Sequence, residues 1–440
     1  LSAHRATPVE CALPGSPLDA AKSGIDACVH CGFCLQACPT YLALEDENDS
    51  PRGRILLMRG LVEGTLAPTD DSVRTHIDRC LGCRACETAC PSGVPYGHLL
   101  EATRATLAEY KRQPLVARVV LGVFRREWLL RPALVGARIL RATGVSSLLA
   151  RLPGRIGFAM AMLASTRRDA ALRSNGYTAT RDEPRDASSM RGGSAAVLLG
   201  CVMEGLFSET NRATERVLRR NGYDIRNAPG QQCCGALHAH AGDLDGARAL
   251  ARANVRAFDA AGTDVIAVNS AGCGAMMKEY SHLLADDPAF AEAASRVSAR
   301  VRDISELLVA AGPSRGGSLP LTVTYDAPCH LMHAQRIVTP PLRVLGAIDG
   351  LTLVPLEDAD QCCGAAGIYS LVEPETSAAV LAPKLERIER TGARFVVTGN
   401  PGCLMQIGAG LRRAGVKARA VHPVDLLDAS YGVRTNDQPS

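Results

Sequence analysis

The sequence predicts an α+β multidomain protein, a helical cysteine-rich module followed by two repeated α/β domains. Two observations carry that expectation. The first is a pair of runs, Cys28-Val-His-Cys31-Gly-Phe-Cys34-Leu-Gln-Ala-Cys38-Pro39 and Cys80-Leu-Gly-Cys83-Arg-Ala-Cys86-Glu-Thr-Ala-Cys90-Pro91, with the common spacing C-x2-C-x2-C-x3-C-P. The second is a repeat: Cys201, Cys233-Cys234-Gly235 and Cys273 recur as Cys329, Cys362-Cys363-Gly364 and Cys403, at offsets of 128, 129 and 130 residues. Three landmarks keeping almost one offset point to two copies of one unit.

In chain order, residues 1–24 are rich in Pro, Ala and Ser and are expected to be flexible, with one spare cysteine, Cys11. The helical module is expected over 25–114. Ser50-Pro51-Arg52-Gly53-Arg54 opens a helical pattern over Ile55–Leu66, and a second pattern runs from His98 to Gln113 before Pro114. Arg52 and Arg54 are placed to lie near a cysteine loop, or simply to begin a capped helix. Residues 115–172 hold ten arginines and two acids, Glu127 and Asp169, among aliphatic residues and the only tryptophan, Trp128. That composition suits a basic amphipathic helix lying on a membrane surface, or one packed on protein. Residues 173–194 are polar and Gly-rich and read as a linker. The repeats follow at 195–318 and 319–430. Each begins with a strand (Ala195–Leu199; Leu321–Tyr325), places a cysteine after it, and carries another strand (Asp264–Asn269; Arg394–Thr398) before its last cysteine. Strands alternating with helices predict parallel sheets, whose carboxyl-end loops gather into a site.

The chain has 440 residues, 47% of them hydrophobic, and a net charge of +4, which is ordinary for a globular protein. Seventeen cysteines in so long a chain do not suggest a disulfide scaffold. No apolar leader opens it, and a reducing, cytosol-facing compartment is expected. No apolar run reaches the ~20 residues of a spanning helix. There is no G-x-G-x-x-G after a strand, so no NAD or FAD site is expected, and no motif supports nucleic-acid binding.

The spacing of the two cysteine runs is that of two-cluster ferredoxins, in which three thiolates of one loop meet one 4Fe–4S cube and the fourth reaches the other. One cluster is therefore assigned to Cys28, Cys31, Cys34 and Cys90, and the second to Cys80, Cys83, Cys86 and Cys38. Zinc prefers two C-x2-C pairs. The first module is thus expected to be an α-helical ferredoxin domain. The repeat cysteines, Cys201, Cys233, Cys234 and Cys273 with Cys329, Cys362, Cys363 and Cys403, are candidate ligands for further iron–sulfur clusters; redox-active or zinc-bound thiols are the alternatives. The glycine after each pair is expected to let the backbone pass a bulky group. His30, His238, His240, His330 and His333 lie near these cysteines and are candidate proton relays.

Taken together, Cys28-Val-His-Cys-Gly-Phe-Cys, Pro51-Arg-Gly-Arg-Ile55, Asp78-Arg-Cys-Leu-Gly-Cys83, Cys86-Glu-Thr-Ala-Cys-Pro-Ser-Gly93, Gly272-Cys-Gly274, His333-Ala-Gln335 and Cys362-Cys-Gly-Ala-Ala-Gly367 resemble the iron–sulfur subunits of glycolate oxidase, from about residue 25 to about 428. The resemblance implies an electron-transfer subunit peripheral to the inner face of the cytoplasmic membrane. Partner subunits carry FAD and oxidise glycolate to glyoxylate, and the electrons pass toward the quinone pool. L-lactate or glycerol 3-phosphate as donor is an alternative, as is a thiol–disulfide oxidoreductase resembling heterodisulfide reductase. Heterodisulfide reductases carry a fifth cysteine per repeat, where this chain has Ser270 and Asn400. A five-thiolate cluster is accordingly not expected.

Overall fold

The computed structural model describes residues 11–169, 172 and 192–432. Most of the expected linker, residues 173–191, lies outside the described residues.

The first module is built from α1 (Pro17–Ala20), α2 (Lys22–Asp26), α3 (Pro39–Leu44), α4 (Pro51–Glu63), α5 (Asp71–Asp78), α6 (Ala85–Ala89) and α7 (Tyr96–Tyr110). Local signals set these boundaries. Ser50 caps α4 by accepting from the Gly53 amide at 3.0 Å, Pro51 occupies its first turn, and Gly64 closes it in the left-handed conformation. Ile55, Met58, Leu61, Ile77 and Leu99 form the core, with Cys80 and Cys86 among them. Residues 11–24 were expected to be flexible, and the structure corrects this. Leu13 and Leu18 are buried in that same core, and the Leu18 amide donates to Thr106 Oγ1 at 3.1 Å. The Pro-rich composition supplied the turns, and two leucines anchored them.

The arginine-rich stretch folds as α8 (Leu115–Arg125), α9 (Glu127–Ala142), α10 (Val145–Leu149) and α11 (Gly154–Ser165). It is not one surface helix. α11 is a core element: Ala161 packs on Ala409, and Ser165 sits against Gly408. α8 and α9 bury only Ala117, Leu121 and Leu130. Among their other apolar residues, Trp128 and Ile139 face outward, at 71% and 59% exposure.

The repeats follow as expected, two parallel α/β units. In the first, β1 (Ser194–Val197), β2 (Asp224–Arg226), β3 (Val265–Val268) and β4 (Val301–Asp303) lie in the order β2-β1-β3-β4. In the second, β5 (Thr322–Tyr325), β6 (Thr352–Val354), β7 (Phe395–Val397) and β8 (Arg419–Val421) repeat that order. All pairings are parallel. The helices of the first unit are α12 (Cys201–Leu206), α13 (Ser208–Arg220), α14 (Ala236–His240), α15 (Leu244–Ala261), α16 (Ala271–Lys278), α17 (Tyr280–Leu283), α18 (Ala291–Arg300) and α19 (Ile304–Ala311). Those of the second are α20 (Thr339–Gly346), α21 (Tyr369–Val372), α22 (Pro374–Arg390), α23 (Pro401–Ala414) and α24 (Pro423–Gly432). One apolar core joins both sheets, with Val197 and Ala267 on one side and Val323, Phe395 and Leu427 on the other. Arg216 on α13 grips Asp428 on α24 with two bonds of 2.9 and 2.6 Å, so the two units are clasped by charge as well.

Candidate electron-transfer site

Both cysteine loops of the first module follow one backbone path. The second and fourth residues after the leading cysteine are left-handed in each: His30 and Gly32 in the first, Gly82 and Arg84 in the second. Each loop uses one glycine and forces one larger residue, at a cost of about 1–3 kcal/mol. In the first loop this winding sets Cys28, Cys31 and Cys34 around one cavity. Cys38 and Cys90, each before a proline, are extended with ψ of 111° and 114°, and so leave the loop.

Cys28, Cys31, Cys34 and Cys90 line one small cavity, bordered by Cys86, Arg52 and Tyr96. Cys31 is exposed. Burial pushes the Cys34 thiol up to about 11. Cys38, Cys80 and Cys86 share the surroundings of Tyr96, whose hydroxyl donates to Cys80 Sγ at 3.8 Å. Burial raises Cys86 well above the usual thiol range. Thiols held this way bind a metal only by giving up their protons. Cys83 faces elsewhere: with Leu81 and Ala85 it packs on Cys329 and Cys362 of the second repeat.

Arg54 is fully buried beside this set. It donates to His76 O at 2.6 Å, Thr40 Oγ1 at 3.1 Å and Asp49 Oδ1 at 3.1 Å. Burial opposes its charge, but Cys80, Tyr96, Cys38 and Asp49 more than offset that and keep it protonated. Arg52 lies on the other loop: its guanidinium is 2.9 Å from where a Cβ of Gly32 would stand, and it pairs with Glu47 at 2.6 Å.

The repeat cysteines stand at the carboxyl ends of their strands, where open α/β sheets hold ligands. In the first repeat Cys201 Sγ and Cys233 Sγ are 3.1 Å apart; in the second Cys363 Sγ and Cys403 Sγ are 3.2 Å apart. These are contacts, not bonds, which measure about 2.05 Å. The Cys362 thiol, then burial, push Cys329 up, and Cys363 and burial do the same to Cys403. All four thiols of the second set are buried, whereas Cys201 and Cys273 are half-buried. The glycines after each pair do not make room for a bulky group. A Cβ on Gly235 would approach Ala247 O to 3.2 Å, and one on Gly364 would meet Ser377 O at 2.7 Å, so each glycine lets its loop lie on its own helix.

Sequence reasoning missed a buried pair in the second repeat. Lys384 Nζ lies 2.5 Å from Asp326 Oδ1, both 2% exposed, and also donates to the Asp358 and Ala359 carbonyls. Asp326 follows β5 directly, and that position was the only signal. Of the histidines, His330 Nδ1 is 3.6 Å from Cys329 Sγ, and burial drops its pKa to about 3. His333 bonds Thr88 at 2.8 Å and the Asp360 carbonyl at 3.1 Å, joining the first module to the second repeat. His238 meets the Leu121 carbonyl at 3.2 Å and His240 meets Glu101 at 2.9 Å. His30 Nδ1 is 3.9 Å from Cys28 Sγ.

Comparison with known proteins agrees with this layout. A family described as a 4Fe-4S dicluster domain matches residues 24–94, and one described as a cysteine-rich domain matches twice, at 195–278 and 323–408. The probable glycolate oxidase iron-sulfur subunit of Bacillus subtilis (strain 168) is 37% identical over 428 residues, 93% of this chain and 94% of that one. The glycolate oxidase iron-sulfur subunit of Escherichia coli (strain K12) is 34% identical over 395 residues, 87% of this chain and 89% of that one. Lactate utilization protein A of Geobacillus thermodenitrificans (strain NG80-2) is 32% identical over 235 residues, 53% of this chain and 98% of its own. Two relatives above 30% identity, aligned over nearly all of both chains, settle the family: this chain belongs to the glycolate oxidase iron–sulfur subunits.

Proposed function

We propose that the chain conducts electrons from a flavin-bearing partner, which oxidises glycolate to glyoxylate, toward a membrane quinone. The observation that carries this reading is the contact of Cys83 with Cys329 and Cys362 in one buried apolar cluster. Two cysteine sets on different folds are thereby continuous inside one protein. An all-thiol donor set in tight loops fits iron–sulfur clusters. Cys28, Cys31, Cys34 and Cys90 would hold one 4Fe–4S cluster, and Cys80, Cys83, Cys86 and Cys38 the other. Each of the two repeat sets would hold one more. Bound clusters supply one-electron transfer, which a two-electron flavin oxidation needs. The protein's own part is positioning: Arg54 and Tyr96 direct donors and positive charge at the second set, and the apolar packing around Cys83 excludes water. FAD is expected on the partner subunits only.

Peripheral attachment to the inner face of the membrane rests on the outer surface of α8 and α9, where Trp128 and Ile139 stand among Arg118, Arg125, Arg126 and Arg131. No described helix is long and apolar enough to cross a membrane. Replacing Arg125, Arg126 and Arg131 with Glu should release the complex from anionic vesicles, and unchanged binding would reject attachment through this face.

The function itself is tested by visible and electron-paramagnetic-resonance spectra of the anaerobically purified complex, before and after adding glycolate. Reduction of the iron–sulfur signals by glycolate supports the reading. Reduction by L-lactate or glycerol 3-phosphate but not by glycolate would replace the donor.

A further inference from the structure

The two repeats share a topology but not an exposure. The second cysteine set is buried against the first module. The first opens onto a cleft of about 830 Å³, with Cys201 and Cys233 in its wall. That volume is within the range of small-molecule sites. The cleft lies at the carboxyl ends of β1 and β2, and α9 forms its opposite side.

The α9 side of the cleft is apolar at Leu130, Leu134 and Val135. Leu134 presses so closely on Gly205 that a Cβ there would stand 2.5 Å from it. Arg138 fixes the helix in place by donating to the Gly205 and Glu204 carbonyls, at 2.5 Å each. The remaining arginines differ in what they have left to give. Arg212 is held by Glu204 and Glu215, and Arg131 by Glu127. Arg125 stands exposed at the rim with no ion pair among the described residues. Its guanidinium is free to donate to a ligand oxygen.

We propose that this cleft is the binding site of the terminal electron acceptor, a quinone whose flat apolar ring lies on Leu130 and Val135 and one of whose carbonyl oxygens accepts from Arg125. This rests on the quinone reading above and adds its place. Val135 is also 50% exposed, beside the outward stripe of Trp128 and Ile139 on the same helix. One turn-to-turn step along α9 therefore leads from a lipid-facing surface into the cleft. The acceptor takes two electrons and two protons and leaves as the quinol. The electrons are those the flavin partner removes from glycolate, and the protons come from water at the exposed rim of Arg226 and Asn227.

Binding of a decyl-substituted benzoquinone to the iron-loaded full chain, followed by calorimetry without detergent or lipid, tests the site. Val135→Arg places a charge in the apolar wall and should weaken binding at least about tenfold, the effect of ~1.4 kcal/mol. Arg125→Gln should weaken it several-fold. Ile139→Arg, on the outer stripe, should leave it within about twofold of the unsubstituted chain. Binding that is unchanged in both cleft variants overturns the site while the quinone reading stands. Equal weakening by Ile139→Arg overturns it too, because the ring then rests on the outer stripe. No binding to the unsubstituted chain overturns both the site and the quinone reading.

Discussion

Lys384 and Asp326 offer a sharp test of how the second repeat is held. The two repeats align at offsets of 128 and 130 residues here, so Asp326 corresponds to Leu198 and Lys384 to Asn254. The first repeat solves the same packing problem without charge: Asn254 donates to the Cys233 carbonyl at 2.9 Å and accepts from the Gln232 amide at 2.8 Å. In the second repeat, opposite charges 2.5 Å apart attract by about 7 kcal/mol at an effective dielectric of ~20. Desolvation of two ions removes several kcal/mol of that. Breaking the pair from one side still costs about 3–5 kcal/mol, because the other charge stays buried and alone. Lys384→Met leaves Asp326 with Thr398 as its one side-chain partner among the described residues, at 3.0 Å, and strips two carbonyls of a donor. Deuterium exchange of the backbone over residues 322–329 and 374–390 reads that locally. Protection should fall by roughly two to four orders of magnitude, at ~1.36 kcal/mol per decade. The double substitution Asp326→Leu with Lys384→Asn imports the first repeat's solution and should recover most of the loss. If the double variant is as unprotected as Lys384→Met, the pair is not the element that matters. If Lys384→Met itself is unaltered, the reasoning from burial fails outright.

Other outcomes follow from the same geometry. Cys31→Ser should remove one resonance signal and about four iron atoms per chain, leaving the second ferredoxin-type signal in place, as iron analysis with paramagnetic resonance will show. Arg54→Gln should lower the midpoint potential of the centre held by Cys80, Cys83, Cys86 and Cys38, because a buried positive charge is withdrawn, whereas Arg54→Lys should restore part of it; redox titration reads this. His98 and Glu279, 2.5 Å apart, couple the first module to the first repeat. Their hydrogen bond raises His98 above 6.5; burial works to raise Glu279, but His98 and Arg84 outweigh it and hold Glu279 at about 2. The raised histidine contributes fully below pH 6.5 and is lost as pH climbs through its folded value, whereas the depressed carboxyl contributes above pH 4.5 and is lost as pH falls toward 2. Urea midpoints should therefore peak between those limits, and Glu279→Gln should flatten the profile at a cost of about 1.5–3 kcal/mol.

What the sequence made legible were the features set by short-range spacing. Three cysteines at intervals of three residues dictate a loop, and a constant offset dictates a repeat. Burial was less legible. The sequence leaves Arg54 either near a cysteine loop or at the start of a helix; it lies beside Cys38 and Cys80 and in the first turn of α4, fully buried. The arginine-rich stretch looked uniform, yet α11 differs from α8 because its small residues, Gly157 and Ala161, allow close approach to α23, and small residues carry little signal in a composition count. β4 and β8 were overlooked because three residues, Val-Arg-Asp or Arg-Ala-Val, show no period of their own; the sheet edge beside them decides their conformation. The pairing of His330 with Cys329 was visible as adjacency, but its burial was not.

The positions of the absent fifth cysteines bear on the chemistry of the repeats. Asn400 Nδ2 donates to Cys403 Sγ at 3.5 Å, and its Oδ1 accepts from the Gly272 amide at 3.2 Å. The Ala271 amide completes the junction on the Gly399 carbonyl at 3.0 Å. A thiolate at this position would add negative charge to a buried set of four sulfurs and could not serve as a donor to Cys403. The amide does the opposite: it stabilises charge on Cys403 and ties the second repeat to α16, the helix that carries Cys273. Ser270, its counterpart, is buried and its hydroxyl has no partner among the described residues. The junction is therefore asymmetric: Asn400 directs a side-chain donor at the buried second set, whereas Cys201 and Cys233 of the half-open first set receive the backbone amides of Val202 and Gly235. A hydrogen bond to sulfur favours the reduced, more negative state of whatever the thiolates hold. On that ground the Asn400 donor would favour the reduced state of a group held by the second set, where it abuts Cys83.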